Sequence, residues 1–330
     1  MRRALGAWLW SVAAVACGSG SSGGFTNPGG DDGGTTPDGG GVTSEGGGAE
    51  GDAAPIEGGS PRAEGGASCP APPNGAPAQA AAALGAMNGV RAAMGVPCAA
   101  LVGTLDTAAA DHCAYFAANQ ASASCVANPH VEVSGCSMYV AANFGDRDVA
   151  AGYTGAAVFE DMAFVDDGAA AVQMWIDSVW HRTPVLNPWI LDVGYGGAAG
   201  CDTMDFGIGA GASTPATVTG TYPYPGQTGV PTSFDGNEGP TPPAPPSGFP
   251  SGYPITIFLM NGTVSAHTLT VDGSSTPIAH QWIAPGDPAS NGLLLDDYVM
   301  YANTPLTPQT RYRVQITATP ASFDWTFTTQ

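Results

Sequence analysis

Apolar residues recur at the three- and four-residue spacing of an amphipathic helix in three stretches of the chain. The first covers residues 78–95 and the second covers residues 104–120. The third begins near residue 169 and cannot extend far past His181, because Pro184 disfavours helical geometry at the residue before it. The pattern therefore predicts three helices, with His181 at the C-terminus of the third.

The second part of the chain follows the two-residue alternation of β-strands instead. Short runs bounded by turn residues begin at Ile255, Thr268, Arg311 and Phe323, and in the last two runs the apolar residues share one face. No helical period of useful length lies between these runs. The sequence therefore predicts an all-β region here.

Two segments of the chain offer little to bury. Residues 17–68 are rich in Gly and acidic residues, which predicts a disordered acidic tether. Residues 213–254 are rich in Thr, Pro and Gly, which predicts an extended connection. These shifts in composition divide the rest into one domain over residues 69–212 and a connection with a β-domain over residues 213–330.

The N-terminus predicts export. Arg2 and Arg3 precede an apolar run that is too short to span a bilayer, as in a signal peptide covering residues 1–16. The run ends in AVAC and resembles a bacterial lipoprotein signal, which implies a lipid anchor on Cys17 and attachment to the bacterial envelope or cell surface. Ordinary secretion with cleavage near Ala16 is the alternative.

The charge of the chain excludes several function classes. Asp and Glu number 28 against 8 basic residues, and all of the basic residues are Arg. Without lysine there is neither a P-loop nor Schiff-base chemistry. The net charge of -20 argues against nucleic acid as a partner and leaves the lipid anchor as the sole membrane contact that we predict.

The cysteines predict disulfide bonds. Six of the seven lie between residues 69 and 201, and an even number in an exported domain favours up to three disulfides. A metal site is the other interpretation, but the domain contains no CxxC pair. Spacing alone leaves the connectivity open.

Candidate chemistry is concentrated in residues 152–197. Glu160 lies among apolar residues, and His181 with Arg182 follows the third predicted helix. At a helix C-terminus His181 is a candidate pH-sensitive group and Arg182 a fixed cation. The alternative is a C-terminal cap, in which both side chains bind the last carbonyls of the helix.

Six motifs in order resemble the CAP superfamily, also called the SCP domain, and in particular its bacterial branch. The motifs are MNGVRAAMGVP at 87–97, LDTAAADHCAYFAAN at 105–119, PHVEVSG at 129–135, AGYTGAAVFEDMAF at 151–164, MWIDSVWHRTPVLNP at 174–188 and VGYG at 193–196. The resemblance implies an α+β fold, a three-layer α-β-α sandwich with an antiparallel sheet and a central cleft. The β-region resembles bacterial immunoglobulin-like domains, which implies an all-β sandwich.

The resemblance also implies site residues. His130 matches the family's first cleft histidine, Glu160 matches the glutamate of its Glu-Asn-Ile motif, and His181 matches the histidine of the bacterial Ser-Pro-Gly-His-Arg motif. Ser178 stands where eukaryotic members tend to have a second glutamate, so the family's metal-binding tetrad is incomplete. His112, in an apolar stripe, is predicted to belong to the packing.

These residues allow three kinds of chemistry. His130, Glu160 and His181 are candidates for binding Zn²⁺ or another divalent cation, and for catalysis through it. Without metal, they form a polar network that fixes a cleft. Glu132, Trp175 and Arg182 are predicted ligand-binding residues, whereas His267 and His280 have no clustered partners in the sequence and are predicted to be surface residues.

Three functions follow as hypotheses for an extracellular, disulfide-bonded protein of the bacterial cell surface. The favoured one is a non-enzymatic cleft that binds a small apolar or glycan-like ligand, with or without a divalent metal. The second is a metal-dependent hydrolase of envelope or extracellular polymers. The third is a structural or adhesive protein that contacts another surface protein. A CAP resemblance implies a cleft rather than one reaction.

Overall fold

The computed structural model describes residues 69–212 and 218–330. The predicted signal peptide, the lipidation site Cys17 and the acidic tether lie outside the described residues. No helix within the described ranges is long and apolar enough to cross a membrane.

The described residues form five α-helices and thirteen strands. The helices are α1 (Ala78–Met94), α2 (Gly103–Asn119), α3 (Phe144–Ala150), α4 (Gly168–Ile176) and α5 (Arg182–Leu186). The strands are β1 (Ala100–Leu101), β2 (Ala156–Ala163), β3 (Asp192–Ala198), β4 (Cys201–Ile208), β5 (Thr219–Tyr222), β6 (Ser233–Phe234), β7 (Ser251–Gly252), β8 (Ile255–Leu259), β9 (Thr263–Val271), β10 (His280–Ile283), β11 (Asp297–Ala302), β12 (Arg311–Thr319) and β13 (Phe323–Thr328).

Helices α1 and α2 agree with the predicted stretches within one residue at each end. Helix α1 ends because Gly95 adopts a left-handed conformation with φ of 73°, and its amide then donates to the carbonyls of Arg91 and Ala92. The predicted apolar stripe of α1 is buried, including Leu84 and Met87. Local sequence therefore decides both the extent and the orientation of this helix.

The first sheet has the strand order β1-β3-β4-β2. Its long strands pair antiparallel as the resemblance implies, whereas the two residues of β1 pair parallel with β3. Helix α2 lies very close to β3, because Gly194 and Gly196 have no side chain. A Cβ at either position would come within 2.1–2.3 Å of the backbone of Leu105 or Ala109. These two glycines therefore allow the helix to pack on the sheet.

Three disulfides join this part of the chain, as predicted. They link Cys69 to Cys98, Cys113 to Cys201 and Cys125 to Cys136. The second of them ties helix α2 to the start of β4. Together the disulfides fit an exported protein.

The second part of the chain contains a four-stranded sheet of order β10-β11-β8-β5, a three-stranded sheet of order β13-β12-β9 and the short pair β6-β7. Strands form at all four predicted runs, and Tyr312, Val314 and Ile316 share a buried face as predicted. The α+β class is confirmed. The three-layer and immunoglobulin-like sandwiches, like the division of the chain at residue 212, stay predictions.

One apolar core extends from the helices into the β-region. It includes Trp175 and Ile176 of α4 together with Tyr253, Ile255 and Ile257 beside and within β8. Residues 69–330 belong to one compact unit. Side chains from both regions can therefore line the same site.

Candidate functional site

Helix α4 is shorter than predicted. It ends at Ile176, and His181 precedes the short helix α5 rather than ending a long helix. The reason lies outside the local sequence: the amides of Val179 and Trp180 donate to the carboxylate of Glu238, at 2.6 and 2.8 Å, instead of to carbonyls one turn back. The predicted placement of His181 at a helix C-terminus is therefore wrong.

Glu238 also binds the ring of His181, with 3.1 Å between Nδ1 and a carboxylate oxygen. Burial disfavours a charged imidazole here, but the hydrogen bond to Glu238 and the negative charge of that carboxylate help to outweigh it, so that the pKa of His181 is raised. The sequence offered no signal for this partner, because Glu238 lies 57 residues downstream in the Pro-rich connection.

His130 and Glu160 lie together as predicted. Nδ1 of His130 lies 2.9 Å from Oε1 of Glu160, while the other carboxylate oxygen accepts a hydrogen bond from the guanidinium of Arg147. Burial alone would raise the pKa of Glu160, but His130, Arg147 and His112 lower it to about 2. Glu160 is therefore an anion whose two oxygens are both engaged within the protein.

His112 is buried, as predicted for a packing residue, but it also belongs to this polar cluster. Its Nδ1 lies 2.9 Å from Glu132 and its Nε2 lies 2.8 Å from the carbonyl of Pro129. The second oxygen of Glu132 accepts the amide of Val140 at 2.7 Å. Both ring nitrogens and both carboxylate oxygens of this pair are therefore used inside the protein.

Three more acidic side chains are buried near Glu160. Burial and the charge of Glu160 raise the pKa of Asp148 to about 7, and they raise the pKa of Asp205 well above its ordinary value. Burial also raises the pKa of Asp161. Among the described residues no N–H group pairs with the oxygens of Asp148 or Asp205, so that only a neighbouring carboxyl group can serve as their donor. Burial thus favours the protonated form of these carboxyl groups, whereas Arg147 and the two histidines favour the ionised form of Glu160.

A cavity of about 210 Å³ opens beside this cluster. His130 and His181 both line it, and each has its Nδ1 committed to a glutamate. For each ring, Nε2 is the nitrogen available to a molecule in the cavity. The remaining lining is mostly apolar and includes segments far apart in sequence: Pro129, Met162, Phe164, Met174, Trp175, Ser178, Asn237, Glu238 and Gly239.

The predicted ligand-binding residues occupy different positions. Trp175 lines the cavity, with Nε1 donating to the carbonyl of Met162 at 3.1 Å. Glu132 is buried against His112. Arg182 is also buried: it donates to the carbonyls of Ile176 and Pro254, and its guanidinium lies over two tyrosine rings. The hydrogen bond of Arg182 to Ile176, the last residue of α4, agrees with the capping alternative, whereas His181 binds Glu238 instead of a helix carbonyl. A ligand role for any of the three stays a prediction.

The donor set does not fit the three-ligand zinc site that we predicted from His130, Glu160 and His181. Both oxygens of Glu160 already accept hydrogen bonds, from His130 and Arg147, so a metal ion would have to compete with these contacts. Within the described ranges, no group of three or more His, Cys, Asp or Glu side chains could hold a metal ion. The cavity offers the Nε2 atoms of two histidines, and a divalent cation there stays a prediction.

The prediction for the two histidines of the β-region is wrong. His267 and His280 are hydrogen-bonded partners, with 2.8 Å between Nδ1 and Nε2, and Trp282 stacks on His267 at a centroid distance of 4.0 Å. His267 lies on β9 and His280 on β10, which are edge strands of two different sheets, and the two rings meet where these edges lie side by side. Sequence separation does not reveal such a contact.

Neither a protein-family model nor a curated protein matches the chain. Among solved structures, the 1.5 Å crystal structure of an extracellular protein containing an SCP domain from Bacillus anthracis str. Ames is 22% identical to it. The match covers 39% of this chain and 40% of that chain, with a TM-score of 0.33. The chain thus spans about two fifths of that protein's length, and at this TM-score the similarity supports no statement about function.

Proposed function

We propose that the chain is an exported surface protein of the CAP type whose cavity binds a small amphipathic, lipid-like ligand without transforming it. The observation that carries the proposal is the combination of two polar imidazoles with a mostly apolar lining in one cavity. Ligand sites in proteins commonly have this composition, with a few polar groups that orient a largely apolar molecule.

The exposed apolar side chains favour a lipid-like ligand over a glycan. Phe164 is 56% exposed and Met174 is 46% exposed, and both line the cavity. Large apolar side chains that remain exposed at a cavity mark binding surfaces. A glycan would need more hydrogen-bonding groups than this lining supplies, and the volume of about 210 Å³ suits a short chain rather than a polymer.

Calorimetric titration of the purified protein with octanoic acid, 1-octanol and a chitin disaccharide tests the proposal. We expect at least one of the two octyl probes to bind and Phe164→Ser to weaken that binding by about tenfold, because it removes apolar contact area. Val149→Ser is the matched control, since Val149 is 68% exposed and does not line the cavity. Binding of the disaccharide alone, or equal effects of the two variants, would overturn the proposal.

A metal-dependent hydrolase is the second candidate. Imidazoles backed by carboxylates, as in the pairs of His130 with Glu160 and His181 with Glu238, are the arrangement found behind metal-ligating histidines. The incomplete donor set argues against it. Micromolar zinc binding that both His130→Ala and His181→Ala abolish, with a hydrolytic activity that chelation removes, would replace the first proposal with this one.

A further inference from the structure

Within the described part of the Pro-rich connection, residues 218–254, Glu238 is the one carboxylate that lines the cavity. Its side chain is 2% exposed, and its two oxygens accept three hydrogen bonds, from the amides of Val179 and Trp180 and from Nδ1 of His181. A buried carboxylate with this many donors has one well-defined position. Glu238 therefore fixes the cavity wall and the imidazole ring together.

The segment that carries Glu238 is itself held by Trp180, which precedes α5, and by groups of the β-region. The carbonyl of Pro240 accepts Nε1 of Trp180 at 2.8 Å, and the carbonyl of Pro243 accepts the hydroxyl of Tyr301 at 2.6 Å. Gly236 has a φ of 74°, and a Cβ there would come within 2.4 Å of the ring of Phe249. The position of the segment is thus also set by contacts that do not involve Glu238 itself.

Three ionisable groups act on His181 in this surrounding. Glu238 comes from the connection, Asp161 from strand β2, and His130 from the other side of the cavity. Only Glu238 makes a hydrogen bond to the ring within the described residues. The orientation of the ring therefore depends chiefly on Glu238.

We propose that Glu238 is a positioning residue of the ligand cavity: it commits Nδ1 of His181 to itself, so that a ligand meets Nε2, and it holds its neighbours Asn237 and Gly239 in the cavity wall. The inference about the ligand rests on the proposed function, whereas the inference about the ring does not. The consequence is that a residue of the β-region side of the chain determines binding at a site built on the helices and the first sheet.

Side-chain nitrogen NMR of the protein labelled at histidine tests the ring directly, without any ligand. The chain has five histidines, and His181→Gln assigns the signal of interest. We expect the hydrogen-bonded Nδ1–H resonance of His181 to move upfield in Glu238→Gln and to disappear by exchange in Glu238→Ala. Asp235→Asn removes an exposed carboxylate from the same segment and should leave the resonance unchanged.

The octyl probe that binds the wild-type protein should bind Glu238→Gln about tenfold more weakly, as expected for one misplaced hydrogen-bonding group. An unchanged His181 resonance in both Glu238 variants overturns the positioning role, whatever the probes do. A shifted resonance with unchanged affinity overturns the link to the ligand. If no probe binds the wild-type protein, the proposed function fails, and the NMR result alone decides the role of Glu238.

Discussion

The described residues contain three histidine–glutamate pairs, and two of them, His112 with Glu132 and His181 with Glu238, differ in what the second ring nitrogen does. In the pair of His112 and Glu132, both nitrogens and both oxygens bind groups of the protein. In the pair of His181 and Glu238, Nδ1 is committed and the ring lines a cavity. The same two residue types therefore stabilise the fold in one place and form a candidate binding site in the other. The two roles differ in whether every ring nitrogen has a hydrogen-bond partner within the described residues.

The largest effect on stability should come from Arg147, because this buried cation pairs with the buried carboxylate of Glu160. Arg147→Met leaves Glu160 buried without its cation, so we expect a loss of about 3–5 kcal/mol in the free energy of unfolding. Urea denaturation measures it. Arg313→Met is the matched control, because Arg313 forms an exposed ion pair with Asp324 and its loss should matter little. Similar destabilisation of both variants would contradict a special role for the buried cation.

The buried carboxyl groups also predict how the free energy of unfolding depends on pH. The pKa values of Asp148 and Asp297 are about 7 in the folded protein, mainly because both are buried, whereas unfolded aspartates titrate near 3.9. The folded state thus retains protons that the unfolded chain has lost. The free energy of unfolding should therefore fall as the pH rises from about 4 to about 7, by about 1.4 kcal/mol per pH unit for each group.

The ionisation of Glu160 has the opposite effect on the free energy of unfolding, and it does so at lower pH. Its pKa of about 2 means that its contribution is present above about 4.5 and is lost as the pH falls towards 2. Urea midpoints measured from pH 3 to pH 8 should therefore be highest near pH 4 to 5. Asp148→Asn should flatten the decline towards pH 7, and a midpoint that rises over that interval would refute the assignment.

A smaller effect distinguishes the two pairs directly. His112→Gln removes a buried ring with two hydrogen bonds and should cost about 2 kcal/mol of unfolding free energy, leaving probe binding to the folded protein nearly unchanged. His181→Gln should cost less stability and reduce probe binding instead. Thermal denaturation and calorimetry of both variants provide the comparison. Equal loss of binding in the two variants would show that the pairs are not functionally different.

Local patterns predicted those features that depend on local physics. The apolar stripe and the terminating Gly95 predicted helix α1 correctly. The alternation of apolar and polar residues predicted strand β12 and its buried face. Strand β11 escaped prediction because all six of its residues are buried, so it has no alternation to detect. Helix α4 was predicted too long because a distant carboxylate takes the amides that would have continued it.

The candidate site was predictable in part. The motif order identified His130 with Glu160 as neighbours and His181 as a residue near them. Glu238, Asp148 and Asp205 could not be found from the sequence, because their roles arise only when distant segments meet in the folded chain. Ser178 stands where eukaryotic CAP proteins tend to have a glutamate, and in this chain the carboxylate beside His181 comes from the connection.

The contacts of Arg182 bear on whether the two regions of the chain could be inherited separately. Its guanidinium joins the end of α4 to Pro254 and contacts the rings of Tyr222 and Tyr253, so one buried charge depends on groups from both sides of residue 212. A recombination event at that boundary would separate the cation from its partners and leave it buried without them. We therefore expect the two regions to be inherited together, because replacing the β-region by another one would remove the partners of Arg182.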